Sequence, residues 1–70
     1  MIKEGQIYSH THIGKNIVIC ITRVRKNGNP YIITNNGTSG TRDSNDFEKY
    51  TLIAEYSTWQ KAVNSKEFNK

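Results

Sequence analysis

From Gly5 to Val24 the chain reads GQIYSHTHIGKNIVICITRV. A short polar-apolar strand comes first, a Gly14-Lys15-Asn16 turn follows, and a long Ile/Val strand comes next. Side chains alternate with period 2 along a strand, so Ile17, Ile19 and Ile21 share one face while Val24 falls on the opposite face by that count. One extra residue repairs the phase. A β-bulge near Thr22-Arg23 returns Val24 to the interior and bends the strand sharply, as closure of a small barrel requires. The alternative is a strand buried on both faces, because Val18 and Cys20 are apolar as well.

The pattern stays β-like downstream. Asn27-Gly28 carries strong hairpin-turn chemistry and leads into a strand at Tyr31-Ile32-Ile33-Thr34. Asn35-Asn36-Gly37 predicts a second turn of the same kind, and the polar Thr38-Ser39-Gly40-Thr41-Arg42 an exposed strand. Asp43 or Ser44 can cap a brief helical turn containing Phe47. Tyr50-Thr51-Leu52-Ile53-Ala54-Glu55-Tyr56 then alternates as a final strand. Ser57-Thr58-Trp59-Gln60 has the form of a capping box, with the Ser57 hydroxyl reaching the third backbone N–H and Gln60 reaching back. Trp59, Ala62 and Val63 stand at i, i+3 and i+4, and Asn64-Ser65 marks a stop. A helix this short does not stand alone in water, so its stripe is expected to dock on the barrel through Trp59, with Phe68 packing after the break; the alternative is Trp59 as an exposed partner-binding residue.

The expected fold is therefore all-β: a five-stranded SH3-like barrel with a short C-terminal helix. Strands are predicted near 5–11, 16–25, 30–35, 38–42 and 50–56, and the helix near 58–64. A single domain covers 1–70, with the barrel at 1–56 and the helix and tail at 57–70. The expected core is Tyr8, Ile17, Ile19, Ile21, Val24, Ile33, Phe47, Leu52, Trp59 and Val63.

Composition limits what such a chain does. Seventy residues with 34% hydrophobic and 23% charged content support one small core. A domain of this size buries only about 60% of its unfolded surface, which argues against a deep substrate cleft. The single cysteine, Cys20, excludes an intramolecular disulfide and fits a reducing, cytoplasmic setting. No stretch approaches the ~18 apolar residues of a membrane span, and Met1-Ile2-Lys3-Glu4-Gly5 lacks the apolar run of a signal peptide. No membrane association is expected, and the glycosylation pattern Asn36-Gly37-Thr38 carries no weight without export.

The succession Gly5-x-x-Tyr8-x-His10, Gly14, Ile21-Thr22-x-Val24 and Phe47-Glu48-Lys49 running into Leu52-Ile53 resembles small uncharacterised proteins of phages and prophages of Gram-positive bacteria. Those proteins look like SH3-type (KOW- or Tudor-like) barrels. The tail from Thr58 to Phe68 is similar to theirs as well. The resemblance rests on turn and core residues, so it implies fold and origin and carries no activity. A ribosomal-type KOW motif and an aromatic RNP pattern are both missing.

Charge adds a candidate surface. Residues 1–42 carry Lys3, Lys15, Arg23, Arg25, Lys26 and Arg42 against Glu4 alone, whereas residues 43–70 carry four lysines against five acids. Arg23, Arg25 and Lys26, with Tyr31 across the turn and Tyr8 and His10 nearby, would form a phosphate-binding patch with aromatic stacking. The competing reading is a solvated hairpin whose charge keeps an edge strand from aggregating. Other constellations read plainly. His10-Thr11-His12 resembles a metal pair but has no third ligand set by spacing, and a loop histidine pair accounts for it. Gly37-Thr38-Ser39-Gly40-Thr41 lacks the Lys-Ser/Thr ending and helix of a P-loop. Asp43, Asp46 and Glu48 lack the ligand order of a calcium loop. No cofactor, metal or catalytic residue is expected, and the chain is read as a non-enzyme. Two classes remain: a protein-interaction module docking a host or phage protein on its strand edges and loops, which is preferred, and a nucleic-acid binder of low sequence specificity.

Overall fold

A computed structural model describes residues 2–69. Five strands form one antiparallel sheet: β1 (Gln6–His12), β2 (Lys15–Val24), β3 (Pro30–Thr34), β4 (Ser39–Thr41) and β5 (Thr51–Glu55). The order across the sheet is β4-β3-β2-β1-β5, so the last strand folds back onto the first and β4 and β5 lie at the two edges. A 3-10 turn, Ser44–Glu48, links β4 to β5, and one short helix, α1 (Trp59–Val63), follows β5. No helix among the described residues is long and apolar enough to cross a membrane.

The phase slip in β2 is a bulge. Ile21 pairs with Ile32 and Arg23 with Tyr31, which leaves Thr22 without a partner on β3. Its hydroxyl donates to the Tyr31 carbonyl at 3.3 Å. Val24, paired with Pro30, thereby returns to the face of Ile17, Ile19 and Ile21 and packs against their cluster. The other strand-buried possibility holds too, since Val18 and Cys20 are buried on the opposite face. A second irregularity, where Ile7 pairs with Ala54 and Tyr8 with Leu52, leaves Ile53 as the extra residue of β5.

The sheet consequently carries two apolar faces, each with its own cover. On one, Tyr8, Ile19, Ile21 and Ile32 are closed by Phe47 from the 3-10 turn, with Tyr50, Ile17 and Val24 at the margin. Tyr8 and Phe47 meet edge to face with ring centroids 4.9 Å apart, the arrangement the ring quadrupoles favour. Asp43 caps that turn by accepting from the Asn45 N–H at 2.9 Å. On the other face Ile7, Val18 and Cys20 lie beneath Ala62 of α1 and Phe68 of the tail, with Ile33, Trp59 and Val63 packed beside them. Ile33, Trp59 and Val63 were expected in one common core with Tyr8 and Ile19, and the structure assigns them to this second layer. Leu52, also expected in the core, is 45% exposed on the edge strand β5 and joins neither layer, whereas Ala54 of the same strand packs under α1.

Two local expectations shift by a residue. The first hairpin turns at Ile13-Gly14, with φ of 51° and 73°, so Lys15 and Asn16 are already in β2 opposite His12 and Thr11. Successive left-handed residues match the twist of the flanking strands, which makes this pair the turn. The cap of α1 is Thr58 rather than Ser57: its hydroxyl accepts from the Lys61 N–H at 3.3 Å. The Gln60 side chain is not the reciprocal partner. Glu4, far away in the sequence, instead occupies the first helical N–H, accepting from Trp59 at 3.0 Å.

Gly5 is where the two ends of the chain meet. Its N–H donates to the Ile21 carbonyl at 2.8 Å and its carbonyl accepts from the Tyr56 N–H at 3.0 Å. It has φ of 88°, and a Cβ there would stand 2.1 Å from the Tyr56 carbonyl oxygen. Gln6, buried beside it, is fully occupied. It accepts from the Lys3 N–H at 2.8 Å and the Tyr8 hydroxyl at 2.9 Å and donates to Glu55 at 2.8 Å, which avoids the penalty of a buried unpaired amide.

Gly5→Ala should therefore destabilise the fold by about 3 kcal/mol or more, because left-handed backbone strain and a backbone clash combine. Gly14→Ala, equally left-handed but with open space around its Cβ position, should cost about 1 kcal/mol. Urea unfolding of the two variants checks the contrast, and equal losses would remove the close approach as its cause. Burial, with Glu4 as a lesser contributor, pushes the Cys20 thiol up to about 11 from its ordinary 9.0. Burial, then Glu55, raises Tyr8 above its ordinary 10.0. The folded chain keeps protons that the unfolded chain releases, so stability should be level below about pH 9 and fall as pH rises toward 11. In the same experiments a thiol reagent at pH 8 should modify Cys20 only on unfolding, and prompt native modification would contradict its burial.

Candidate functional site

The basic hairpin and the C-terminal helix meet on the face that α1 covers. The Thr22 bulge turns Arg23 toward that face, where it stands opposite Tyr31 on β3. Tyr31 and Ile33 alternate on the same side of β3, and their β4 partners Thr41 and Ser39 share it. Trp59 sits at the first position of α1, its backbone held by the Glu4 carboxylate and its ring packed on the Ile7–Val18–Cys20 layer. Between Trp59 and the hairpin lies an open groove of about 590 Å³. Ile33 and Tyr31 contribute to its floor, Thr22 and Arg23 to one side, and Ser39 and Gly40 to the other.

Arg25 does not line the groove but braces it. Its guanidinium lies 5.1 Å from the centre of the Tyr31 ring, a cation–π contact. Its Nε donates to the Asn29 carbonyl at 3.2 Å, tying strand to turn. Lys26 is exposed at the start of the same turn. Among the described residues Arg23, Arg25 and Lys26 have no ion-pair partner. Three cations at one end of the sheet thus stay available to an external anion. Tyr31, at 41% exposure, is one of the few large apolar side chains left open to solvent.

Of the residues the sequence singled out, Arg23, Arg25 and Tyr31 come together, and Lys26 adjoins them. Tyr8 and His10 do not. Tyr8 is buried, and both lie on the opposite face, because their partners Ile19 and Ile17 face the Phe47 layer. His10 packs against Tyr50 at 4.6 Å between ring centroids and stacks with His12 at 6.0 Å. Those histidines belong to β1 rather than to a loop, and no group of three or more metal-ligating side chains occurs among the described residues. Asp43 caps the 3-10 turn. Gly37 turns the β3–β4 hairpin at φ of 91°, and Ser39–Thr41 is the edge strand β4.

The helical stripe makes Trp59 the anchor of the docked helix, with an exposed partner-binding residue as the alternative, and the structure gives it an inward and an open side. Its second role as a wall of the groove depends on how α1 is set down on the sheet, and the local sequence carries no signal of that placement. No family model, curated protein or solved structure matches the chain.

Half-burial sets an expectation for Trp59. Trp59→Ala should cost about 2–3 kcal/mol, below the 3–5 kcal/mol of a wholly buried aromatic, because part of the ring already faces water. Thermal or urea unfolding measures it. An unchanged midpoint would show that the ring is not docked on the Cys20 layer.

Proposed function

We propose that this chain is a small, non-catalytic binding module that holds nucleic acid with low sequence specificity in the groove between the basic hairpin and Trp59. We further propose that the sheet closes as an SH3-like barrel, consistent with the meander in which β5 returns to β1 and with the bent, bulged β2. A phage or prophage origin and a cytoplasmic setting belong to the same proposal. The observation that carries it is the convergence of Arg23 and Tyr31 on one groove with the other hairpin cations unpaired beside them. Free cations along a groove neutralise phosphates, and exposed rings accept bases of any identity. Ile33 and the Tyr31 ring form the floor, so base-edge contacts fall mainly to Thr22, Arg23 and Ser39 at the sides.

The protein-interaction reading has its own observation: β4, with Ser39, Gly40 and Thr41 all exposed, is an open sheet edge able to take an added strand. Its three residues offer only a short ladder. The cations and the aromatic pair have no part in such docking, and this is why nucleic acid is preferred.

Labelled single- and double-stranded DNA and RNA, titrated at ~50 mM salt, test the proposal. Raising salt to ~200 mM should weaken binding by about 20-fold or more if some three phosphates are engaged. Arg23→Ala with Lys26→Ala should weaken all sequences alike and flatten the log K against log salt slope by about 1 to 2. These two positions are the better choice because Arg25 also braces the hairpin. Absence of binding to every probe at ~50 mM salt would sink the nucleic-acid reading and leave the β4 edge.

A further inference from the structure

We infer that Trp59 and Tyr31 are paired stacking platforms, so that the groove selects unpaired bases and binds single strands in preference to a duplex; this rests on the nucleic-acid reading above. The two rings have different supports and share one groove. Trp59 is fixed from both sides of the chain. The Thr58 cap sets the helix start, the Glu4 carboxylate holds its N–H, and the apolar layer beneath holds the inner part of the ring. Tyr31 is backed by the Arg25 guanidinium and is 41% exposed. Both rings are thus positioned before any ligand arrives, which lowers the ordering cost of binding.

Between them the surface is apolar and low. Ile33 offers no hydrogen-bonding group, and Gly40 on the β4 side has no side chain to raise the rim. A flat base fits such a surface face-on, whereas a duplex presents only base edges and phosphates and keeps its π-faces inside the stack. Phosphates of a single strand crossing the groove would meet Arg23 at its side and Lys26 at the adjoining turn, in keeping with the six cations against one acid in residues 1–42. The occupant is therefore a short single-stranded segment with its bases on the rings and its backbone along the hairpin. Stacking makes no use of the 2′-hydroxyl, so DNA and RNA of equal length should bind comparably.

The chain has one tryptophan, so its intrinsic emission reports on the site. The full chain is titrated at ~50 mM salt with oligothymidylate, oligouridylate and a blunt DNA duplex of the same length, following both tryptophan emission and the anisotropy of a labelled strand. The expected result is quenching by both single strands and a duplex affinity at least ~10-fold weaker. Tyr31→Leu, at an exposed strand position, should lose about 5- to 150-fold in single-strand affinity, the range for one stacked base. Its duplex affinity should change little, and protection of Cys20 from a thiol reagent confirms that the variant is folded. Trp59→Phe, which keeps a ring, should retain most of the affinity. A marked preference for one of the two single strands would overturn stacking as the basis of selection, because stacking leaves the 2′-hydroxyl unread. Equal affinity for duplex and single strand, or single-strand binding that leaves tryptophan emission and the Tyr31→Leu affinity unchanged, would overturn the stacking while leaving phosphate binding by the hairpin in place. No binding by any probe would overturn both readings.

Discussion

Thr22 has no partner on β3, and that one unpaired position governs both the core and the groove. Without it, strict alternation along β2 would set Thr22 opposite Tyr31, carry Arg23 to the face of Ile19 and Ile21, and turn Val24 away from them. A guanidinium would then sit in an apolar layer with no partner, at a desolvation cost well beyond that of a bulge. Inserting one residue keeps Val24 with the isoleucines and turns Arg23 outward at the same time. The Thr22 hydroxyl, donating to the Tyr31 carbonyl, supplies a polar contact where the ladder is interrupted.

Two covers are needed because the sheet is apolar on both sides. Phe47, on the connection from β4 to β5, closes the layer formed by Tyr8, Ile19, Ile21 and Ile32 far earlier in the chain. The α1 layer relies on the two ends of the chain meeting at Gly5. There the backbone bridges Ile21 and Tyr56, and Glu4 completes the helix start. A helix of five residues has little stability of its own, so these long-range bonds and the burial of Ala62 and Phe68 hold it in place. The same contacts place Trp59 at the groove.

Stability and binding therefore draw on shared parts. Trp59 packs inward on the Cys20 layer and outward on the groove, and Arg25 ties the hairpin turn while backing Tyr31. In a chain of 70 residues there is little surface to set aside for binding alone. A groove whose walls are also core elements is one way to obtain a rigid site from a small domain.

Local pattern was enough to read the five strands, the bulge, the turns at Gly28 and Gly37, a cap at Asp43 or Ser44 and the short helix, because each depends on neighbouring residues and on the period of side-chain alternation. It also showed the hairpin cations and Tyr31 as a group, since they are close along the chain. Tertiary structure alone decided which apolar residues share a layer. Period 2 separates the two faces of a strand but does not say that both are covered, so the pattern alone groups Ile33, Trp59 and Val63 with the Tyr8 layer and places Leu52 inside. It also moved the helix cap to Thr58 and the turn to Ile13-Gly14, where pairing to a partner strand, a long-range property, sets the register. The groove lay beyond reach for the same reason: it joins Arg23 and Tyr31 to Trp59, more than 25 residues further along. Only packing of the helix on the sheet brings them together, by burying apolar surface that has no local partner.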